Sequence, residues 1–246
     1  MRYSEQFFEG QSAGSRESAQ VVAPIILELA PAERIVDVGC GVGTWLSVFA
    51  SNGVQDGRGY DGDYVERDQF QASWDWFRPI DLVEPPTPDE TYDLAVSLEV
   101  GEHLPTAASS RYVEFLTSLA PVVVFSAAIP LQGGTNHVNE QWPSFWASRF
   151  ADHGYVPVDA IRPRIWHDDR VRFWYRQNML FYVQESALSR FPRLAAEHEK
   201  TDPRMLEVVH PELLQHRNSQ PLQPPLRLAT HALRLGASRV KRVLRV

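Results

Sequence analysis

The sequence predicts an α/β domain built on an open, mostly parallel sheet with helices on both faces, and three features predict it. Arg34 to Trp45, RIVDVGCGVGTW, joins a short β-branched run to glycines at 39, 41 and 43 and then to a helical pattern that opens at Thr44. Strand-length runs follow at Gly57 to Tyr60, Tyr92 to Leu98 and Pro121 to Ile129, and the last is almost wholly apolar, as a strand buried on both faces must be. The spacing of the glycines is the third feature. They let the backbone turn sharply and approach a ligand with no Cβ in the way, while the following helix offers unpaired N–H groups.

Composition sets the frame for this domain. The chain has 246 residues, 43% hydrophobic and 22% charged, enough for one α/β core with an appendage. The single cysteine, Cys40, lies inside the glycine loop, so no disulfide framework can form and a reducing compartment fits. No apolar run approaches the roughly 20 residues of a membrane span, and the N-terminus lacks a basic-then-apolar signal pattern, so a cytoplasmic location is expected. A formal net charge of −7 argues against bulk binding of nucleic acid.

In chain order, residues 1–30 are expected to form a lid and a helix. Met1 to Gly14 is polar with the aromatic group Tyr3, Phe7 and Phe8, and Ser15 to Leu29 carries Ala19, Val22, Ile25, Ile26 and Leu29 at helical spacing. Residues 31–186 form the main domain. Within it, Thr44 to Ser51 is a crossover helix that Asn52-Gly53 ends. Asp61-Gly62-Asp63 closes the second strand, and Asp61, 22 positions after Gly39, lies where it can accept both ribose hydroxyls of an adenosine cofactor. Asp37, an acid inside the first strand, demands a partner such as a loop amide or the amino group of a ligand. A dinucleotide fingerprint needs glycine where Thr44 stands, which disfavours a nicotinamide-dependent oxidoreductase.

Farther along, Trp142 to His153 reads as a helix, and Tyr155 to Ile161 and Met179 to Val183 as the last two strands. Gln132 to Gln141 is a polar, glycine-rich loop at a strand's carboxyl end, a place that lines active sites in open sheets. Arg162 to Asn178, dense in arginine and aromatics, reads either as a substrate flap for an anionic, ring-bearing molecule or as a solvated hairpin. Residues 187–246 are expected to be a linker and then, from Pro225, a basic amphipathic helix for an anionic membrane surface, an acidic partner, a second subunit or the chain's own domain.

The acid-bearing first strand with its G-x-G-x-G loop resembles motif I of the class I S-adenosylmethionine-dependent methyltransferases, and Tyr92 to Leu98, YDLAVSL, resembles their motif IV. The resemblance implies a Rossmann-like, seven-stranded sheet whose last strand is antiparallel. It also implies that Asp37, Gly39, Cys40, Gly41, Gly43, Trp45, Asp61, Gly62, Asp81, Leu82, Glu99 and Val100 surround S-adenosylmethionine, with Asp81 and the Leu82 amide at the adenine amino group. A hydroxyl on a sugar-containing or other polar small molecule is the leading acceptor. N- or C-methylation and a non-catalytic adenosyl-binding role are the alternatives.

Beyond motif IV, Glu99-Val100-Gly101-Glu102-His103 has an E-x-x-E-H pattern that places Glu99, Glu102 and His103 on one face if a helical turn begins there. It resembles the metal site of small-RNA terminal 2′-O-methyltransferases and of ubiquinone-pathway O-methyltransferases. That implies a Mg²⁺, Mn²⁺ or Fe²⁺ site of Glu99, Glu102, His103 and a later histidine, for which His137 is the candidate. In metal-free methyltransferases the same Glu-His-Leu turn caps a helix, which leaves His137 or His103 as a simple general base.

Overall fold

The computed structural model describes residues 5–219. Helix α1 (Glu5–Leu29) leads into strand β1 (Arg34–Val38), helix α2 (Thr44–Ser51), strands β2 (Asp56–Asp61), β3 (Phe77–Pro79) and β4 (Leu94–Leu98), helix α3 (Ser109–Leu119) and strand β5 (Val122–Ser126). Helix α4 (Pro143–Ala151), strand β6 (Tyr155–Val158), helices α5 (Arg162–Ile165) and α6 (Phe173–Asn178), strand β7 (Leu180–Gln184), and helices α7 (Pro192–His198) and α8 (Pro211–Ser219) complete it. The chain divides into two compact units, Met1–Leu213 and Leu214–Val246, and the whole sheet lies in the first.

Seven strands form one sheet in the order β3-β2-β1-β4-β5-β7-β6. β7 alone runs against its neighbours, antiparallel to β5 (Phe125 beside Leu180) and to β6 (Val158 beside Phe181), as the resemblance implies. Side chains alternate across each strand and so feed two cores. Ile35, Leu94, Val96, Val122, Val124, Phe181 and Val183 pack with α1, α2 and α7. Val36, Val38, Ala95, Val123, Phe125 and Tyr182 pack on the other face with α3 and α4, where Phe150 stacks on Tyr182 at 3.9 Å between ring centroids.

β1 lies between β2 and β4, with Asp37 opposite Gly59 on one side and Val96 on the other. The strand order reverses at this point, and such a reversal opens a crevice at the strands' carboxyl ends. Gly59 makes room beside it, since a Cβ there would lie 2.8 Å from Cys40 Sγ and 2.9 Å from Leu46. The glycine loop turns through this space.

Three sequence expectations change. Residues 5–14 continue α1 and are not a separate lid, and the helix passes through Pro24. The compact unit does not stop at residue 186, because Ala187, Phe191 and Leu194 join the core and Leu206 and His210 are buried. Arg162–Asn178 is not a hairpin but two short helices joined by a turn. Arg162 and Arg176, 2% and 3% exposed, are consumed by Asp159 and by Asp169 and Glu212. The basic stretch from Pro225 lies outside the described residues.

Gly39 has φ 80° and a Cβ there would lie 2.3 Å from Val100, whereas Gly53, with φ 99°, faces open space. Gly39→Ala therefore combines left-handed strain with a clash and is expected to cost about 1–3 kcal/mol in urea unfolding, against about 1 kcal/mol for Gly53→Ala. Equal losses would show that contact with Val100 carries no weight.

Candidate active site

The glycine loop is clamped onto the end of β2. Gly39 and Cys40 donate their amides to the Tyr60 carbonyl at 2.7 and 3.2 Å, and Gly41 donates to Asp61 Oδ2 at 2.7 Å. Asp61 Oδ1 accepts the Gly62 amide at 2.7 Å and a short bond from the Tyr64 hydroxyl. Gly43 enters α2 with φ 74°, and a Cβ would lie 2.7 Å from Phe70, so this glycine serves packing. Cys40, buried beside Leu46, has its thiol pushed well up by burial and by Asp37, which keeps it unreactive.

A cavity of about 710 Å³ opens where the loop, β1, β2 and β4 end. Every residue expected to surround the cofactor lines it except Gly43. Asp37, Asp61, Asp63, Asp81 and Glu99 contribute carboxylates to the wall, and among the described residues no lysine or arginine lines it. Asp81 sits at the more exposed end, where its Oδ1 accepts the Val83 amide at 2.8 Å. Asp37 is 4% exposed and accepts no hydrogen bond among the described residues; burial first, and then the Asp61 charge, raises its pKa to about 8. An acid in this state is matched to a cationic ligand group.

Sequence reasoning missed two contributors. Ser15 reaches the cavity from α1 and bonds the Tyr175 hydroxyl at 3.0 Å, and Tyr64 covers Asp61. Neither lies in a motif; both arrive by tertiary packing. Trp174 and Tyr175, inside the arginine-rich segment, also reach the cavity, and Tyr175 meets Trp45 edge to face at 5.4 Å.

At the β4 end, Glu99 departs from expectation. The chain does not begin a helical turn there: Glu99 has φ 57°, and a single 3₁₀ turn forms at Gly101–His103. That backbone turns the Glu99 carboxylate toward amide donors, Gln132 Nε2 at 3.0 Å and Asn178 Nδ2 at 3.2 Å. It is not in the cluster that could hold a cation, which consists of Glu102, His103 and His137, with one donor atom of each within 4.8 Å of the others. Glu99 nevertheless stands beside that cluster, where its charge acts on Glu102.

The three remaining residues form a site on its own logic. Glu102 is fully buried, neither of its carboxylate oxygens has a hydrogen-bond partner among the described residues, and burial followed by the Glu99 charge pushes its pKa far up. His137 Nδ1 lies 3.1 Å from Glu140 Oε1, which also accepts the Gly133 amide while Oε2 accepts the Leu131 amide, so the ring is held with Nε2 4.0 Å from Glu102 Oε1. His103 stands edge to face with His137 at 5.0 Å and reaches the cavity; burial and His137 hold its pKa down, so its ring is neutral. The 132–141 loop is pinned here as well, by Val138 and Asn139 amides on the Glu102 carbonyl. Gly134 gives the His137 ring its place.

A family model described as a methyltransferase domain matches residues 12–164. No curated protein matches the chain. Among solved structures, the chain is similar to a sugar N-methyltransferase from a Streptoalloteichus species (TM-score 0.57, 14% identity, 75% of this chain and 94% of that one). It is also similar to an O-methyltransferase family protein from Burkholderia thailandensis (TM-score 0.55, 14% identity, 72% of this chain) and spans 58% of that protein's length. A third is magnesium protoporphyrin IX methyltransferase from Synechocystis with bound S-adenosylhomocysteine (TM-score 0.51, 19% identity, 72% and 88% covered). At these identities the likeness is one of fold.

Asp37 is the titration handle of the site. With its folded pKa near 8 against about 3.9 unfolded, the native state keeps a proton that the unfolded chain has released, so stability falls as pH rises between those values. Asp37→Asn is expected to raise Tm by a few degrees at pH 8, with the gain shrinking toward zero near pH 4. A gain independent of pH would assign the effect to another group.

Proposed function

This chain belongs to the methyltransferase domain family and is a class I S-adenosylmethionine-dependent methyltransferase, and on that premise we propose that it methylates a hydroxyl of a polar, ring-bearing small molecule with the help of a divalent cation. The observation that carries the acceptor half is the buried, unpartnered carboxylate of Glu102 between two imidazoles at the cavity's edge. Left alone, Glu102 Oε1 and the His137 Nε2 lone pair would repel; a cation or a shared proton removes the conflict.

The residues fit both groups. Asp37 faces the cavity as the partner for the cofactor's amino group, Asp61 for its ribose, and Asp81 with the Leu82 amide for its adenine. When bound, S-adenosylmethionine supplies a sulfonium methyl whose C–S electron pair returns to sulfur as the acceptor oxygen bonds the carbon. Glu102, His103 and His137 offer oxygen and imidazole donors without thiolate, a set suited to Mg²⁺, Mn²⁺ or Fe²⁺, and such an ion lowers the pKa of a coordinated hydroxyl. Ser15, Trp174 and Tyr175 wall the cavity and orient the acceptor for in-line attack, where alignment supplies much of the rate. Because the buried Arg162 and Arg176 are each paired with carboxylates and the wall is carboxylate-rich, the acceptor is neutral rather than anionic.

A second reading rests on His103. It lines the cavity as a neutral ring, and without a cation it is the group placed to take the hydroxyl proton.

Two measurements separate these readings and test the cofactor's seat. Asp61→Ala is expected to weaken S-adenosylmethionine binding by about 2–3 kcal/mol in calorimetric titration; unchanged affinity would remove Asp61 from the cofactor. Chelation and Glu102→Gln are each expected to abolish methyl transfer while cofactor binding survives. Full activity in chelator, with loss in His103→Ala, would replace the cation by a general base.

A further inference from the structure

We propose that Glu140 is the positioning residue of the cation site: it holds the His137 ring so that Nε2, and not Nδ1, is presented to Glu102 and His103. The inference rests on the reading that those three residues share a divalent ion. Glu140 itself is outside the cluster, and both of its oxygens are engaged elsewhere. Oε1 lies 3.1 Å from His137 Nδ1 and accepts the Gly133 amide at 2.6 Å, while Oε2 accepts the Leu131 amide at 2.8 Å.

An imidazole can offer either nitrogen, and the hydrogen bond made at one decides whether a lone pair is left at the other. A carboxylate only accepts, so beside Glu140 the ring proton belongs on Nδ1 and the lone pair on Nε2. That nitrogen lies 4.0 Å from Glu102 Oε1. Gly134 borders the ring from another side: a Cβ there would lie 2.2 Å from Nε2, so a larger residue would cover the ligating atom. The same loop serves His103, which hydrogen-bonds the backbone of Asn136 and whose Nδ1 is buried with no partner among the described residues. Leu131 and Asn136 have φ of 70° and 62°, conformations that persist only where the surroundings fix them. Glu140 thus ties one end of the loop and the His137 ring to a single carboxylate.

Glu140→Gln keeps the side chain's length and removes its charge and one acceptor. Titration of the full chain with Mn²⁺, read by electron paramagnetic resonance, is expected to show binding about ten- to hundredfold weaker than in the natural protein. Affinity for S-adenosylhomocysteine is expected to stay, because Glu140 does not line the cavity. Nitrogen-15 shifts of the His137 ring, measured in chelator at alkaline pH, are expected to show Nδ1–H in the natural protein and a growing share of Nε2–H in Glu140→Gln and Glu140→Ala. Unchanged Mn²⁺ affinity in both variants overturns the inference and leaves the cation reading intact. Weaker binding with an unaltered tautomer also overturns it, and assigns Glu140 to the loop alone. An Nε2–H ring in the natural protein overturns it whether or not the variants fold. If the natural protein has no Mn²⁺ site that Glu102→Gln removes, the cation reading falls and takes this role of Glu140 with it.

Discussion

Carboxylates gathered at the carboxyl edge of the sheet, with no lysine or arginine among the described residues lining the cavity there, are the constraint on which the site depends. Asp37 and Asp61 end two neighbouring strands, and Glu99 and Glu102 follow a third, so the crevice at the strand reversal gathers negative charge in a low-dielectric place. The protein meets this in three ways. Asp61 is satisfied by backbone amides and a phenol, Glu99 by two side-chain amides, and Asp37 and Glu102 by keeping a proton until something cationic arrives. In the proposed function, a sulfonium cofactor with an ammonium group would answer the first pair of strands and a divalent ion the last.

Much of this was legible in the sequence because it is local. A β-branched run, a glycine loop and an acid at a fixed distance define one crossover unit, and the residues from Asp37 to Trp45 and at Asp61 line the cavity, apart from Val38 and Gly43. The antiparallel β7 was also anticipated, through the resemblance. Glu102, His103 and His137 were named through the resemblance of the E-x-x-E-H pattern before any geometry. Their meeting needs a loop 34 residues after His103, and what secures it is the Glu102 carbonyl holding two loop amides.

What was not legible depends on backbone conformation and on distant contacts. Helical spacing put Glu99 on a helical turn with Glu102, but Glu99 has a positive φ, the turn begins only at Gly101, and the Glu99 carboxylate is held by Gln132 and Asn178, which no pattern of residue types announces. Arginine density at 162–178 suggested a binding flap, whereas Asp159, Asp169 and Glu212 lie where they neutralise two of its arginines inside the fold. Ser15 and Tyr64 carry no motif and enter the site only because α1 and the post-β2 loop pack against it.

The most direct measurement is anomalous diffraction at the manganese edge from crystals grown with Mn²⁺ and S-adenosylhomocysteine. The nucleoside is expected along Asp37, Asp61 and Asp81, with a single manganese peak at bonding distance from Glu102, His103 and His137. A nucleoside bound away from those acids, or a fully occupied nucleoside with no metal peak beside Glu102, would contradict the view that the buried carboxylates are built to receive these two cations.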